Sequence, residues 1–558
     1  MSDSVRPARK FKYARLVAQL ILALLLVGLW ICIKQMDSPW EGRFRRLLRE
    51  HKGLKFDDLI HVQLWWAAYI DRFIVGGLLL LSPLWLHWSD RDSPSHRVAP
   101  RSRRWLWLLG IMALAFGLRA ARMDRGLERD EQDTVRRDIL GFYITNDDGT
   151  EDYRLPPWSE TMWEDSQANN PFLFSITARA ALTVWQDMNG KSPAQVNRTV
   201  LRLPALIPGL ISLVALWWWL RMMGLTFGAD VALLLGALHP MHVDYSTQAR
   251  GYALVMMFTA LALGFAWLSL TEGRWRYWAA LAGCFLGSLV ANPGSIYFCG
   301  SLGICIGVSL LLRIVRKQDP NARADLVRFI ICNVVSAAIY IPLVLPALPQ
   351  ALGYLKTFNG ALDGPWPLQT LSKYFTGVMM PAPPDEYTAR SDELSTWAYF
   401  LRDYVQSERL LLFLVFAFVP TLIAIGTSQV IKAGPEAIPL VIAGVGAPLV
   451  AYVYHRPEGT QFIYYWYLIY ALPVILALVA AGLSRCGDFL KRRFTHDGAK
   501  WLPTVAFVAI LGIANAPGPG RMLWFPGSQI SDEIYERGKF LWITGPDGRT
   551  KRVPKVVP

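Results

Sequence analysis

Apolar residues in this chain are pooled into long blocks separated by short charged stretches. A membrane-crossing helix needs about 20 mostly apolar residues, and about thirteen runs approach that pattern. They are Leu16–Ile33, Ile70–Trp88, Trp105–Leu118, Leu203–Leu220, Ala229–Tyr245, Tyr252–Leu270, Tyr277–Val290, Ile296–Leu312, Phe329–Leu348, Leu410–Ile425, Ile438–Tyr454, Phe462–Leu483 and Leu502–Ala516. The pattern predicts an all-α polytopic membrane protein. Asn292-Pro293-Gly294 separates two of the runs only briefly, and the first two runs also fit a re-entrant pair.

The charged stretches between the runs set the orientation, because Lys and Arg concentrate in cytoplasmic loops. Four clusters stand out: Arg6 to Arg15, Arg91 to Arg104, Arg313 to Arg328 and Arg485 to Lys500. Counting runs from a cytoplasmic N-terminus places all four on one side. The basic stretch Arg43 to Lys55 falls on the other. It carries acids too, and Phe44, Leu47 and Leu48 suit a surface-lying amphipathic helix. The first run is long and lacks a small-residue cleavage site, so it reads as an anchor rather than a cleaved leader. Three regions result: an N-terminal extension with two spans (1–104), a core module (105–516) and an extracytoplasmic tail (517–558). Two large loops of the core, 119–202 and 349–409, face outward.

Composition sharpens this picture. Charged residues are 18% of the 558 and hydrophobic ones 53%, and mean hydropathy is +0.27. Soluble domains carry roughly 25% charge. Trp40, Trp85, Trp88, Trp105 and Trp107 lie near run ends, where the bilayer interface favours aromatics. The net charge of +14 does not imply nucleic acid. Its carriers sit between apolar runs, where they set topology and attract anionic lipid. The six cysteines show no metal-ligand spacing and do not suggest a disulfide framework.

Three polar segments carry candidate chemistry. Directly after the third run stands Arg119-Ala-Ala-Arg122-Met-Asp124-Arg125-Gly-Leu-Glu128-Arg129-Asp130-Glu131-Gln132. Adjacent carboxylates can differ in pKa, since one charge disfavours the next, and a suitable one can take a proton from a hydroxyl. The plain alternative is a solvated, salt-bridged helix start. Next is His239-Pro240-Met-His242-Val-Asp244-Tyr245-Ser246-Thr247-Gln248-Ala249-Arg250-Gly251-Tyr252, which joins the fifth and sixth runs. Arg250 could hold a phosphate bidentately, and His239 and His242 are three apart, a same-face spacing on a helix. The alternative is an interfacial hairpin whose Arg snorkels to headgroups. Asn169-Asn170-Pro171 reads as a turn opening a helix.

Taken in order, these segments resemble the C-type glycosyltransferase (GT-C) superfamily, in its protein O-mannosyltransferase-like and lipid A aminoarabinose-transferase-like branches. The resemblance runs through "NNPFLF", "LRLPALIPGLISLVAL" and "LHPMHVDYSTQARGYAL", and more loosely "FIYYWYLIYALPVILALVAAGL". It implies a GT-C-like fold with a large extracytoplasmic first catalytic loop. It also implies a transferase that takes sugar from a polyprenyl-phosphate donor, with inversion, and passes it to a lipid, glycan or protein acceptor. Asp130 and Glu131 match the family's acidic pair and would be catalytic. Arg250, with Arg202 and His242, would meet the donor phosphate. Asn169, Asn170, Tyr245, Gln248 and Tyr252 would line the substrate site.

The chain also departs from the family pattern. Asn169-Asn170-Pro171 stands where many members have His-Pro-Pro, Thr247-Gln248 replaces Gln-Glu, and Trp466-Tyr467 replaces Arg-Tyr. These changes leave a divalent metal open. The second outer loop (Tyr374, Asp385, Glu386, Tyr387) is a candidate lid. A bacterial inner membrane, with the site on its outer face, is the expected location. The competing readings are a transporter or flippase for a lipid-linked substrate and a catalytically inactive lipid-binding scaffold.

Overall fold

A computed structural model describes residues 6–40, 55–89, 105–145, 151–165, 170–357, 367–377, 409–455, 465–494, 496–515, 540–544 and 550–554. Asn169, Asp385, Glu386, Tyr387 and the Phe44-Leu47-Leu48 segment lie outside them, as does most of the tail from Pro517.

The first 104 residues hold α1 (Arg6–Gln35), α2 (Phe56–Leu80) and α3 (Ser82–Trp88). α4 (Trp105–Ala120) follows. The first outer loop then folds as α5 (Arg129–Thr134) with a π-helical continuation Val135–Leu140, the hairpin β1 (Phe142–Thr145) and β2 (Glu151–Arg154), α6 (Trp158–Trp163) and α7 (Phe172–Met188). Phe142 pairs with Arg154 and Thr145 with Glu151, antiparallel. The bundle continues through α8 (Arg198–Met222), α9 (Thr226–Leu238), α10 (Pro240–Tyr245), α11 (Tyr252–Glu272), α12 (Trp275–Ala291), α13 (Ile296–Val315) and α14 (Ala322–Val344). The second outer loop contributes α15 (Leu348–Thr357) and α16 (Pro367–Thr376). α17 (Arg409–Phe413), α18 (Val419–Lys432), α19 (Ala437–His455), α20 (Ala471–Phe494) and α21 (Leu502–Asn515) complete the helices, and a hairpin of β3 (Phe540–Thr544) and β4 (Thr550–Pro554) follows.

Among the described residues, nine helices are long and apolar enough to cross a membrane. α2 and α3, bent by 59° at their junction, make a tenth if they form one span. Pro83 in the first turn of α3 accounts for the break, because proline cannot donate to the preceding turn. α4 and α9 are apolar but shorter, and α12 has 17 residues. The chain is therefore a helical, multi-pass integral membrane protein, while the expected thirteen spans include these short helices.

Two details correct the sequence reading. The expected run Ala229–Tyr245 is two helices, because Pro240 forces His239 into extended backbone (ψ 121°). His239 therefore caps α10 instead of sharing a helical face with His242. The expected run Ile70–Trp88 starts too late: α2 begins at Phe56, so Asp71 lies well inside it and is buried.

The two ends of the bundle are tied differently. At one end Arg328, near the start of α14, donates to Ser89 O (3.0 Å) after α3 and to Gly273 O after α11. There too Trp107 packs on Trp501 at 5.1 Å and Arg313 meets Glu436 at 3.4 Å. The first outer loop sits at the other end, with Trp163 Nε1 donating to Leu343 O near the end of α14 (3.1 Å). Its underside is apolar: Leu127, Val135, Ile139 and Leu140 are buried with Phe174, Ala178 and Leu182 of α7. This burial fixes the loop as a cap on the bundle.

Candidate functional site

The site forms where α4, α5, α8, α10 and α11 converge beneath that cap. Its anchor is Arg202, fully buried in the second turn of α8. Nε and Nη2 grip Glu131 Oε1 (3.2 Å) and Oε2 (3.0 Å). Nη1 donates to Met123 O (2.9 Å) and Arg125 O (2.6 Å), and Nη2 also to Gly126 O (3.0 Å). All five guanidinium donors are spent on protein groups. Glu131 is equally saturated. Beside its two bonds from Arg202 it accepts from the backbone N–H groups of Ala249 and of Glu128 (2.8 Å). The last bond closes a capping box at the start of α5.

Glu131, expected as a catalytic acid, and Arg202, expected at the donor phosphate, are both engaged with protein groups. Glu131 has no free lone pair with which to take a substrate proton, and Arg202 has no donor left for a phosphate. Together they hold the first outer loop onto α8 and onto the turn before α11. Breaking a buried pair from one side costs about 3–5 kcal/mol.

Asp130, its neighbour, is exposed. Its backbone carbonyl accepts from Arg250 Nη1 at 3.2 Å, so these two predicted residues share one place. Arg250 also donates to Thr134 Oγ1 (2.6 Å) and to Tyr252 Oη (3.3 Å). With Gly251 and Tyr252 it walls a pocket of about 40 Å³ that Asp165, Asn170, Pro171, Asn292, Pro293 and Tyr467 complete. A single water needs roughly 10–15 Å³ by this measure, so the pocket admits a small polar group. Gly251 is required there. A Cβ would stand 2.6 Å from Ala291 O and 3.0 Å from Pro171 Cβ.

The other predicted residues support these walls. Asn170 lines the pocket, but its amide donates to Thr161 O (3.2 Å) and Glu164 O (2.8 Å) while its oxygen accepts from Ser175 Oγ (2.9 Å). Asn170 thereby also fastens the loop. Tyr245 is buried edge-on against Tyr252, centroids 4.9 Å apart. Gln248 bridges two acids, donating to Glu128 Oε2 (3.2 Å) and Asp244 Oδ2 (3.0 Å).

His242, expected at the donor phosphate, meets protein groups through both ring nitrogens. It is buried; Nδ1 meets Arg119 Nη2 (2.9 Å) and Nε2 meets Ser212 Oγ (2.9 Å). Since arginine only donates, Nδ1 must accept, which assigns a neutral ring whose Nε2–H donates to Ser212. Ser212 Oγ–H in turn donates to Gly209 O (2.7 Å). No nitrogen remains for a phosphate.

Beside the pocket a buried charge network joins the first two polar segments. Asp244 Oδ1 accepts from Arg122 and from Arg125, each at 2.9 Å. Arg125 Nη2 also faces Glu128 at 3.3 Å. Burial, then Asp244, pushes the Glu128 carboxyl up to about 7. Lys373, on α16 of the second outer loop, is buried in the field of Asp244 and Glu128, and burial pulls its ammonium below the usual lysine range. Gly377, at φ 78°, presses on Pro240 where a Cβ would stand 2.7 Å from Cδ. This described part of the second outer loop, including buried Tyr374, is thus seated on the site. Among the described residues no group of three or more His, Cys, Asp or Glu is placed to hold a metal ion.

Sequence reasoning missed Arg119, Arg122, Lys373 and Tyr467 as parts of the site. The two arginines were visible as charges crowding a span end. Tyr467 occupied a position marked only as a departure from a family pattern. Lys373 carried no local signal.

No family model matches the chain, and no curated protein matches it in sequence. Among solved structures it is similar to the archaeal oligosaccharyltransferase AglB from Archaeoglobus fulgidus in complex with an inhibitory peptide and a dolichol-phosphate. The identity is 12% and the TM-score 0.39, over 76% of this chain and 56% of that one. The chain therefore matches little more than half the length of that protein.

Proposed function

We propose that this protein is a membrane glycosyltransferase that moves a sugar from a polyprenyl-phosphate donor to a hydroxyl-bearing acceptor at the extracytoplasmic face. The observation that carries this reading is the juxtaposition of Arg250 and Asp130 at the mouth of the bundle, beside an open polar pocket. Breaking the anomeric C–O bond leaves the electron pair on a lipid-phosphate oxygen. A buried guanidinium facing the pocket stabilises that charge without reorganising. The acceptor oxygen forms the new bond to the anomeric carbon and gives its proton to a carboxylate. Asp130 is the candidate, since the neighbouring Glu131 is fully engaged. Attack opposite the leaving phosphate inverts the anomeric carbon. Arg202 and Glu131 act at one remove, fixing the loop that presents Asp130.

The test is transfer of labelled sugar from a polyprenyl-phosphate donor by the purified full chain. Asp130→Asn should abolish turnover with the fold intact, and Arg250→Ala should raise the donor KM more than the acceptor KM. Wild-type turnover by Asp130→Asn ends the base assignment. An unchanged donor KM in Arg250→Ala removes its phosphate role.

A further inference from the structure

A second cavity lies at the opposite end of the molecule from the Arg250 pocket. α20 starts just after Tyr467, which lines that pocket, and runs away from it. Partway along, α20 crosses α18 at glycines. A Cβ on Gly426 would collide with Leu478 O, and one on Gly482 with Leu422 O. Past the crossing, Arg485, Cys486, Phe489, Leu490 and Arg492 of α20, with Ile425 of α18, line a cavity of about 300 Å³.

Three of these residues form a stripe. Arg485, Phe489 and Arg492 are spaced i, i+4 and i+7, so they share one helix face. Phe489 is 67% exposed. Neither guanidinium has a hydrogen-bond or ion-pair partner among the described residues, whereas adjacent Lys491 pairs with Asp497 at 2.6 Å. Arg485 stands ~21 Å along the helix from Ala471, inside the ~30 Å depth of a hydrocarbon core. At that depth an arginine reaches for the headgroup layer. An exposed ring between two guanidiniums, over an apolar floor, matches an amphiphile with an anionic head.

We propose that this crevice binds one anionic glycerophospholipid from the leaflet opposite the Arg250 pocket. Its phosphodiester sits between Arg485 and Arg492, and one acyl chain lies over Phe489 and Ile425. Guanidinium forks suit the phosphodiester oxygens, and the acyl chain distinguishes this ligand from free phosphate.

Native mass spectrometry of the full chain in micelles doped with phosphatidylglycerol or phosphatidylcholine tests the proposal. Wild type should retain a phosphatidylglycerol molecule that Arg485→Gln/Arg492→Gln loses and Lys491→Gln keeps. Phe489→Ala should weaken the same adduct. Equal retention by the double variant, or equal retention of phosphatidylcholine, overturns the proposal. Displacement of the lipid by inorganic phosphate would also overturn it, by showing an ion site. Should the double variant fail to fold, Arg492→Gln alone, on the exposed last turns of α20, is read in the same way.

Discussion

Asp130 and Glu131 are neighbours in sequence with opposite environments. Glu131 is fully buried and meets Arg202 through both oxygens, whereas Asp130 is exposed beside Arg250. Their variants should separate accordingly. Glu131→Gln leaves a buried guanidinium without its counter-charge, a loss of about 3–5 kcal/mol. Its thermal unfolding midpoint in detergent should drop sharply, while that of Asp130→Asn should stay near wild type. Equal midpoints for the two would remove the distinction drawn between them. Glu128 gives a second prediction at this scale. Its carboxyl is raised from 4.5 to about 7, first by burial and then by Asp244. The folded protein therefore holds a proton that the unfolded chain releases. That contribution to stability is fully present below about 4.5 and is lost as pH rises to about 7. Asp244 and other acids add their own pH dependence, so the informative quantity is a difference. The change in midpoint between pH 5 and pH 8 should be more negative in wild type than in Glu128→Gln. Parallel changes in both proteins would rule out the linkage.

Helices meet by close approach at a few glycines, and the α18–α20 crossing is the tightest such joint outside the site. With Gly482 Cβ placed only 2.2 Å from Leu422 O, a larger residue must push the helices apart. Overpacking of this kind costs about 1–3 kcal/mol. Gly482→Val should lower the unfolding midpoint, whereas Gly512→Val, with open space around it, should not. A Gly482→Val midpoint equal to wild type would show that the crossing yields freely. How legible such elements were depends on the range of the forces that make them. Spans could be read because a run of apolar residues is a local property, and α8, α11 and α14 fall where the runs predicted. The break at His239-Pro240 was missed because a long apolar run hid one backbone constraint. The pairing of Arg202 with Glu131 spans 71 residues, and nothing in either segment states it. Sequence therefore marked an acidic segment but could not say which of its carboxylates pairs within the fold. Lys373 was harder still, since an isolated lysine in an outer loop looks solvated until α16 is seen packed against α10.

At the scale of the whole molecule the chain is polarised, and that polarity joins the two proposed sites. One end carries Asp130, Arg250 and the packed outer loops; the other carries Arg328, the Arg485–Arg492 stripe and the basic turn after α13. Lys and Arg favour the cytoplasmic side, so the Arg250 pocket should open outward, where a lipid-linked sugar can present its head group. Two positions probe this directly. Ser192 is exposed between α7 and α8, and Gln318 is exposed between α13 and α14. Cys32, the exposed natural thiol, is first replaced by serine. In intact cells a membrane-impermeant maleimide should then label Ser192→Cys at once, and Gln318→Cys only after the membrane is permeabilised. The opposite pattern would place the pocket in the cytoplasm and the guanidinium stripe outside, reversing the leaflet assigned to each lipid. Labelling of both without permeabilisation would mean that α8 to α13 do not carry the chain across as drawn.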